Sequence, residues 1–431
     1  MTVSPHHTPA PPIASGCPAH QGGAGPGALA DLADPALYSD SDPHATWTEL
    51  RRRTPVARHE KDGHPYWSVT RYADIDRVLR DHATFTSQRG TLLYLLGRGD
   101  PAGGHQMAAT DPPRHTSLRE PLQRALAVKP TMERREQIRT VVTDLLAPLA
   151  DGGPYDLAAH ANQLPMAVAG VLMGLPKEDW GRLVDLTTAS VAPEDPRYRD
   201  ERGIDRVLNM AHRGLFAYFH EIVHERRTHP GDDLISLLLR MEIDGRPLTT
   251  GEVISNCYSL LLGANVTTAQ VPVSTLAELM GTPALQDWAD RPDLIVGGVD
   301  EALRWATPTT HFIRYATRDV HLGGTRVAAG DAVAVWLPSA NRDEDVFRDP
   351  FTFDVARRPN KHLAFGIGPH YCVGHTVAKV TLRLFFAELF SRFTDIVPVG
   401  PGKRLYSNTI YGWTEMPITA RTRPRARQAA Y

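Results

Sequence analysis

Cys372 stands in the run Phe365-Gly-Ile-Gly-Pro-His-Tyr-Cys-Val-Gly374, just ahead of a helical pattern from Val377 to Phe390. A thiol placed there meets unsatisfied backbone N–H groups and the positive end of the helix dipole, which favour thiolate over thiol. Glycines at 366, 368 and 374 let the backbone come close to a sulfur and to a flat ligand. The chemistry open to such a residue is that of a nucleophile or a metal ligand. The structural alternative is a buried cysteine in a Gly-rich turn.

Three other constellations carry polar chemistry. Glu301 and Arg304 lie three residues apart, on one face of a helix, at the spacing of an ion pair. The run Asp111-Pro-Pro-Arg-His-Thr-Ser-Leu-Arg119 opens a helix with His115 and Arg119 four apart and so on a common face, which alone also reads as a solvated cationic face. The apolar stretch Leu260 to Val273 contains Asn265, Thr267, Thr268 and Gln270.

The elements that must position these residues are mostly helical. Periodic apolar residues predict helices over Pro130 to Leu149, with Ile138, Val141, Val142 and Leu145 inward, and over Leu208 to Glu225. Short β-like pieces occur at Tyr66 to Thr70, Val320 to Val327, Ala332 to Leu337 and near the C-terminus, several beside Gly turns. Pro272 removes a helix hydrogen bond and predicts a kink after the threonines. The fold class is mainly α with small peripheral β-sheets. Residues 1–27, rich in Pro, Ala, Gly and His and lacking a basic start and an apolar run, are expected to be a disordered leader, with 28–431 as a single domain.

Composition narrows the function classes. The chain has 431 residues, 42% hydrophobic and 22% charged, enough to bury a sizeable core. A net charge of −2 leaves no global footprint for nucleic acid or an anionic membrane. No apolar run reaches the length of a membrane span, so a cytoplasmic monomer with no membrane or nucleic-acid partner is expected. Three cysteines, Cys17, Cys257 and Cys372, do not suggest a disulfide framework.

The full spacing Phe-Gly-x-Gly-x-His-x-Cys-x-Gly resembles the haem-binding loop of the cytochrome P450 family at every defining position. The resemblance implies the P450 fold and a haem b whose iron is held by Cys372, with Phe365 packed beside the thiolate, Gly374 in the binding loop and His370 at a propionate. A thiolate ligand favours O–O cleavage, so the implied enzyme is an oxidoreductase of the monooxygenase type. His115, Arg119, Arg314 and His362 match family residues that bind propionates. Glu301 and Arg304 match the family's Glu-x-x-Arg helix, and Arg357 the arginine that completes its network, a folding role. The resemblance runs from about Asp34 to Arg423.

One departure bears on mechanism. Leu260-Leu-Leu-Gly-Ala-Asn-Val-Thr-Thr-Ala-Gln270 aligns with the family's distal Ala-Gly-x-(Asp or Glu)-Thr, keeping the threonine as Thr267 and replacing the acid by Val266. Asn265 or Thr268 ordering a water chain, or a polar group on the substrate, would then deliver protons. The alternative is that Val266 packs on a neighbouring helix while an acid from elsewhere serves.

The resemblance places substrate contacts at Gln88 to Gln106, Leu186 to Leu215, Cys257 to Thr268, Thr309 to Phe312 and Tyr406 to Trp413, where His311, Asn408, Tyr411 and Trp413 stand out. An apolar cavity with a few polar contacts fits a bulky, partly polar natural-product intermediate of secondary metabolism, hydroxylated or oxidatively coupled. No nicotinamide or flavin motif is fused, so NAD(P)H electrons are expected through a ferredoxin reductase and a ferredoxin. Arg114, Arg124, Lys129 and Lys379 could receive that acidic donor, and read equally as ordinary solvated charges. The competing classes are a haem sensor or carrier without turnover and a peroxide-dependent haem enzyme.

Overall fold

Eight side chains of the Ile204–Thr228 helix, from Val207 to Val223, are buried at three- and four-residue spacing, and Arg226 and Arg227 in its last turn suit the negative end of the dipole. The predicted helix from Leu208 to Glu225 is thus present and longer at both ends. The computed structural model describes residues 30–424, of which those from Asp31 onward cluster as one compact unit; the expected leader and Cys17 lie outside the described residues.

The predicted helix over Pro130 to Leu149 is instead three pieces: Val128–Glu133, Arg135–Leu146 and a short 3-10 turn, Ala147–Asp151. The break falls at Arg134, whose backbone sits at φ −95°, ψ 4° and whose N–H turns to the Thr131 carbonyl at 3.2 Å. Ile138, Val142 and Leu146 point into the core, while Val141 and Leu145 pack at its edge.

The sheets are small, as expected. The largest has five strands in the order Val56–Lys61, His64–Val69, Ala332–Trp336, His311–Ala316 and Phe85–Thr86. Ala332–Trp336 runs parallel to His64–Val69 and antiparallel to His311–Ala316. All five of its residues are buried, which explains its continuous apolar run. The Val320 to Val327 piece folds as a hairpin turned by Gly323 and Gly324, both at positive φ.

A buried polar knot fixes the segment that leads to the cysteine loop. Glu301 and Arg304 are 0% exposed, and Arg304 Nε and Nη2 donate to the two Glu301 carboxylate oxygens at 2.8 and 2.7 Å. Arg357 Nε joins at 3.1 and 3.2 Å, and Asn360 Nδ2 at 3.0 Å. Arg304 Nη1 also donates to the Asn341 carbonyl at 2.8 Å, while Asn341 Oδ1 accepts from the Leu363 N–H at 2.7 Å. The knot therefore reaches to within two residues of Phe365. Burial pushes the Glu301 carboxyl up, but Arg304, Arg357 and the Asp354 N–H more than offset it and hold it below the ordinary range.

Candidate active site

The distal wall is the Thr250–Thr268 helix, opened by a capping box: Thr249 Oγ1 accepts from the Glu252 N–H at 3.2 Å and Glu252 Oε2 from the Thr249 N–H at 2.8 Å. Glu252 also takes Arg114 Nη2 at 2.6 Å, and Asn256 Oδ1 takes the Met107 N–H at 2.9 Å, so the helix is tied at this end to the segments around His115. At Ala269 the helix is interrupted and restarts as Gln270–Leu279. Pro272 has no N–H for the Thr268 carbonyl four residues back, which accounts for the interruption at the place where a kink is expected. Thr267 Oγ1 donates to the Gly263 carbonyl at 3.0 Å.

The facing wall is the cysteine loop, ahead of the His375–Arg392 helix. Gly366 and Gly368 hold φ of +67° and +76°, and a Cβ on Gly368 would lie 2.6 Å from the Leu79 carbonyl oxygen. Only glycine allows that approach. The Cys372 N–H donates to the Phe365 carbonyl at 2.9 Å, and His375 Nδ1 bonds the Cys372 carbonyl at 2.8 Å. Burial pushes the Cys372 thiol up, while the Gly374 and His375 N–H groups and Arg119 act the other way. Burial thus outweighs the helix-terminus effect, so a thiolate here needs a positive partner inside the cavity.

Between these walls lies a cavity of about 790 Å³, lined by Cys372, Phe365, Gly374, Thr267 and Thr268 among others. Four donors gather with the cysteine. His115 is 2% exposed and neither of its ring nitrogens has a hydrogen-bond partner. Its ring centroid lies 4.3 Å from that of His370, whose Nε2 meets Ser87 Oγ at 3.1 Å. Arg314, 3% exposed, bonds through Nη1 only to the neighbouring Ile313 carbonyl at 2.8 Å. Arg119 Nη2 donates to the Tyr371 carbonyl, and its Nε to Gln123 Oε1 at 3.2 Å. Burial lowers the pKa of His115 to about 4 and of Arg314 to about 10.

These side chains fit a haem. Buried cations and an unpartnered imidazole with no ion-paired acid are what two propionate carboxylates require, since an unpaired buried carboxylate is costly. Among the described lining residues the one carboxylate is Asp100. Among the described residues no cluster of three or more His, Cys, Asp or Glu could hold a metal by itself. Iron at Cys372 would come inside a frame of its own.

The structure brings together Cys372, Phe365, Gly374, His370, His115, Arg119, Arg314, Thr267 and Thr268. It does not bring Asn265 or His362 to them. Asn265 is 3% exposed and points to the Trp180–Val191 helix, where Nδ2 meets Thr187 Oγ1 at 2.5 Å. His362 is outside the lining, with Nε2 3.9 Å from Asp300, an acid already paired with Lys379 Nζ at 2.8 Å. Val266 faces the cavity and packs on the cluster of Val191, Leu405 and Ile410.

Several expected contacts are core instead. His311 Nε2 accepts from the buried Leu93 N–H at 3.1 Å, and neither it nor Tyr411 and Trp413 lines the cavity. Asn408 lies in a small side chamber. Of the expected docking cations, Arg114 is held by Asp244 and Glu252 and Lys379 by Asp300, whereas Arg124, 3.7 Å from Glu120, and Lys129 are exposed. Polar groups that the sequence did not single out, Asp100, His212 and Tyr258, do line the cavity.

Among the described residues no helix is long and apolar enough to cross a membrane. The family model for cytochrome P450 matches residues 295–412. The chain is 33% identical over 395 residues to cytochrome P450 NovI of Streptomyces niveus, covering 90% of this chain and 95% of that protein. It is equally 33% identical to linalool 8-monooxygenase of Pseudomonas putida, covering 89% and 96%. Among solved structures, P450 OxyD, involved in the biosynthesis of vancomycin-type antibiotics, superposes with a TM-score of 0.81 at 30% identity, covering 91% of this chain and 100% of that one.

Proposed function

Because the chain belongs to the cytochrome P450 family and is a haem monooxygenase, we propose that Cys372 is its iron ligand and that a separate ferredoxin supplies its electrons for oxidation of a bulky, partly polar natural-product intermediate. The observation that carries this reading is the placement of Cys372 in one cavity with His115, Arg119, Arg314 and His370. When bound, haem activates dioxygen with electrons drawn from NAD(P)H.

Each residue then has a task. Cys372 holds the metal by its sulfur, and the Gly374 and His375 N–H groups steady the charge on that sulfur. Arg314, Arg119, His115 and His370 receive the propionates, and Phe365 shields the sulfur from water. Thr267 and Thr268 hold ordered water at the kink, where the Thr268 carbonyl lacks its helix donor, and pass protons inward. Val266 contributes apolar surface and no proton, so the relay rests on hydroxyls, water and the substrate.

The ferredoxin reading is supported by the exposed cations Arg124 and Lys129 beside Val128 and Met132, which are 64% and 46% exposed. An apolar patch flanked by cations suits an acidic protein bound briefly. The relatives NovI and OxyD support a role in natural-product biosynthesis. Titration with ferredoxin and its reductase, with product quantified against NAD(P)H consumed, tests the reading. Product formation that is equally fast with peroxide alone would replace it by a peroxide-dependent enzyme.

A further inference from the structure

The cavity lining holds four cationic or donating side chains at the Cys372 end, one further arginine, Arg213, and a single acid, Asp100. Asp100 belongs to the loop that follows Tyr94, and its Oδ1 accepts from the Ala102 N–H at 2.8 Å. Its Oδ2 has no partner among the described residues. No lysine or arginine offsets its charge, and burial raises its pKa. Asp100 acts electrostatically on Tyr94 and Tyr258, whose hydroxyls lie within reach of one another, so the three form one corner of the cavity. The Tyr258 ring is flanked by His212 at 5.6 Å and Phe216 at 5.4 Å between centroids.

The neighbouring groups add no positive charge. His212 Nε2 is buried without a partner, and burial lowers its pKa, which keeps the ring neutral. The side chamber that shares Tyr94, Val191 and Thr409 with the main cavity has two cations, both already matched: Lys61 with Asp62 at 2.7 Å and Arg98 with Asp205 at 2.5 Å. Glu194 is left over there, half-buried and without an ion pair. Arg213 also lines the main cavity, but it does not figure among the charges acting on Asp100.

Resting on the haem-site reading above, we propose that this corner selects substrates carrying an organic ammonium group, which sits against Asp100 between the rings of Tyr94 and Tyr258. An uncompensated carboxylate beside electron-rich ring faces attracts a cation more strongly than any neutral group of the same shape. A substrate anchored there by its ammonium end turns its remaining length into the apolar part of the cavity, toward Cys372.

The experiment uses the haem-loaded full-length protein and two probes, a phenylhexyl-trimethylammonium salt and its isostere with carbon in place of the charged nitrogen. A quaternary nitrogen has no lone pair for iron, so calorimetric titration reads the corner and not metal ligation. The cation should bind tighter than the isostere by roughly tenfold or more, the scale of one partly desolvated charge contact. Asp100→Asn, which keeps both rings and an oxygen for the Ala102 N–H, should cut that preference several-fold and leave the isostere's affinity unchanged. If that variant does not fold, Tyr258→Leu takes its place and should reduce the preference. Equal affinities in the wild type, or a preference undiminished in the variant, overturns the proposal. The carbon monoxide spectrum of the same sample separates the two readings. A thiolate-type band without charge preference removes only the ammonium corner, whereas its absence removes the haem-thiolate reading and the corner's role with it.

Discussion

Asn265 Nδ2 lies 2.5 Å from Thr187 Oγ1, joining the distal helix to the Trp180–Val191 helix with both groups buried. The amide is thus a strut between two helices, whereas Thr267 and Thr268, in the last turn of the same helix, line the cavity. Asn265→Ala should lower unfolding free energy by about 0.5–1.5 kcal/mol, the net worth of one hydrogen bond, because Thr187 Oγ1 keeps its bond to the Leu183 carbonyl at 2.7 Å. Its ratio of product to NAD(P)H consumed should stay near that of the wild type. A coupling loss without a stability loss would return Asn265 to the proton path.

Thr267→Ala should do the reverse, lowering product per electron and raising peroxide release with little change in melting temperature. Val266→Glu should weaken substrate binding, since a carboxylate there is set among Val191, Leu405 and Ile410. A large rise in coupling for Val266→Glu would show that the missing acid has no substitute, and unchanged coupling in Thr267→Ala would place the proton path elsewhere.

Reduced protein with carbon monoxide should show the red-shifted band of a thiolate-ligated haem, and Cys372→Ala should abolish it. A band retained by the variant removes Cys372 from the iron.

Arg314→Met should weaken haem retention by roughly 10–150-fold, the range of about 1.5–3 kcal/mol for a hydrogen bond to a charged group. His115→Phe should cost less, because a neutral imidazole gives up a weaker contact. Transfer of haem to an apo-globin acceptor measures both. Equal retention by Arg314→Met and the wild type would take the propionate from Arg314.

Glu301→Ala should leave little folded protein, since it strands Arg304 and Arg357 in the interior at roughly 3–5 kcal/mol. Glu301 also sets a pH dependence. Its carboxyl is depressed in the fold, so its contribution is fully present above the unfolded value of about 4.3 and is lost as pH falls through the depressed one. Unfolding free energy should therefore be flat in this component at neutral pH and decline in acid. Denaturant midpoints for the wild type and Glu301→Gln across that range test it, and parallel curves would show that Glu301 does not titrate with folding.

The sequence made the cysteine loop legible because its defining residues are contiguous and each glycine has a backbone reason to be there. The Glu301–Arg304 pair was legible from helical spacing, although only the fold reveals Asn341 and Pro350 as further acceptors for Arg304. The direction of Asn265 was available but unread: it follows Cys257 and Leu261 at four-residue steps, and all three are buried on one stripe. His362 looked like its neighbours in the haem segment because nothing local reveals Asp300 across the fold. Tyr94, Asp100, His212 and Tyr258 all fall within stretches expected at the substrate, but their meeting in one corner was illegible, since they come from three separate segments with no shared period. The break at Arg134 falls in the polar run Glu133 to Gln137, where no apolar residue marks the phase of the helix, so the repeat that begins at Ile138 does not reveal it.

The bond between Arg119 and the Tyr371 carbonyl spans 252 residues of chain. At synthesis rates of roughly 5–20 residues per second, the ribosome needs on the order of ten to fifty seconds to travel that stretch. During this interval the nascent protein carries His115 and Arg119 but neither the loop they meet nor the sulfur proposed to hold the iron. No amino-terminal fragment ending before residue 372 can therefore capture the cofactor in its final setting. Haem insertion in that setting belongs to the closing phase of translation or follows release.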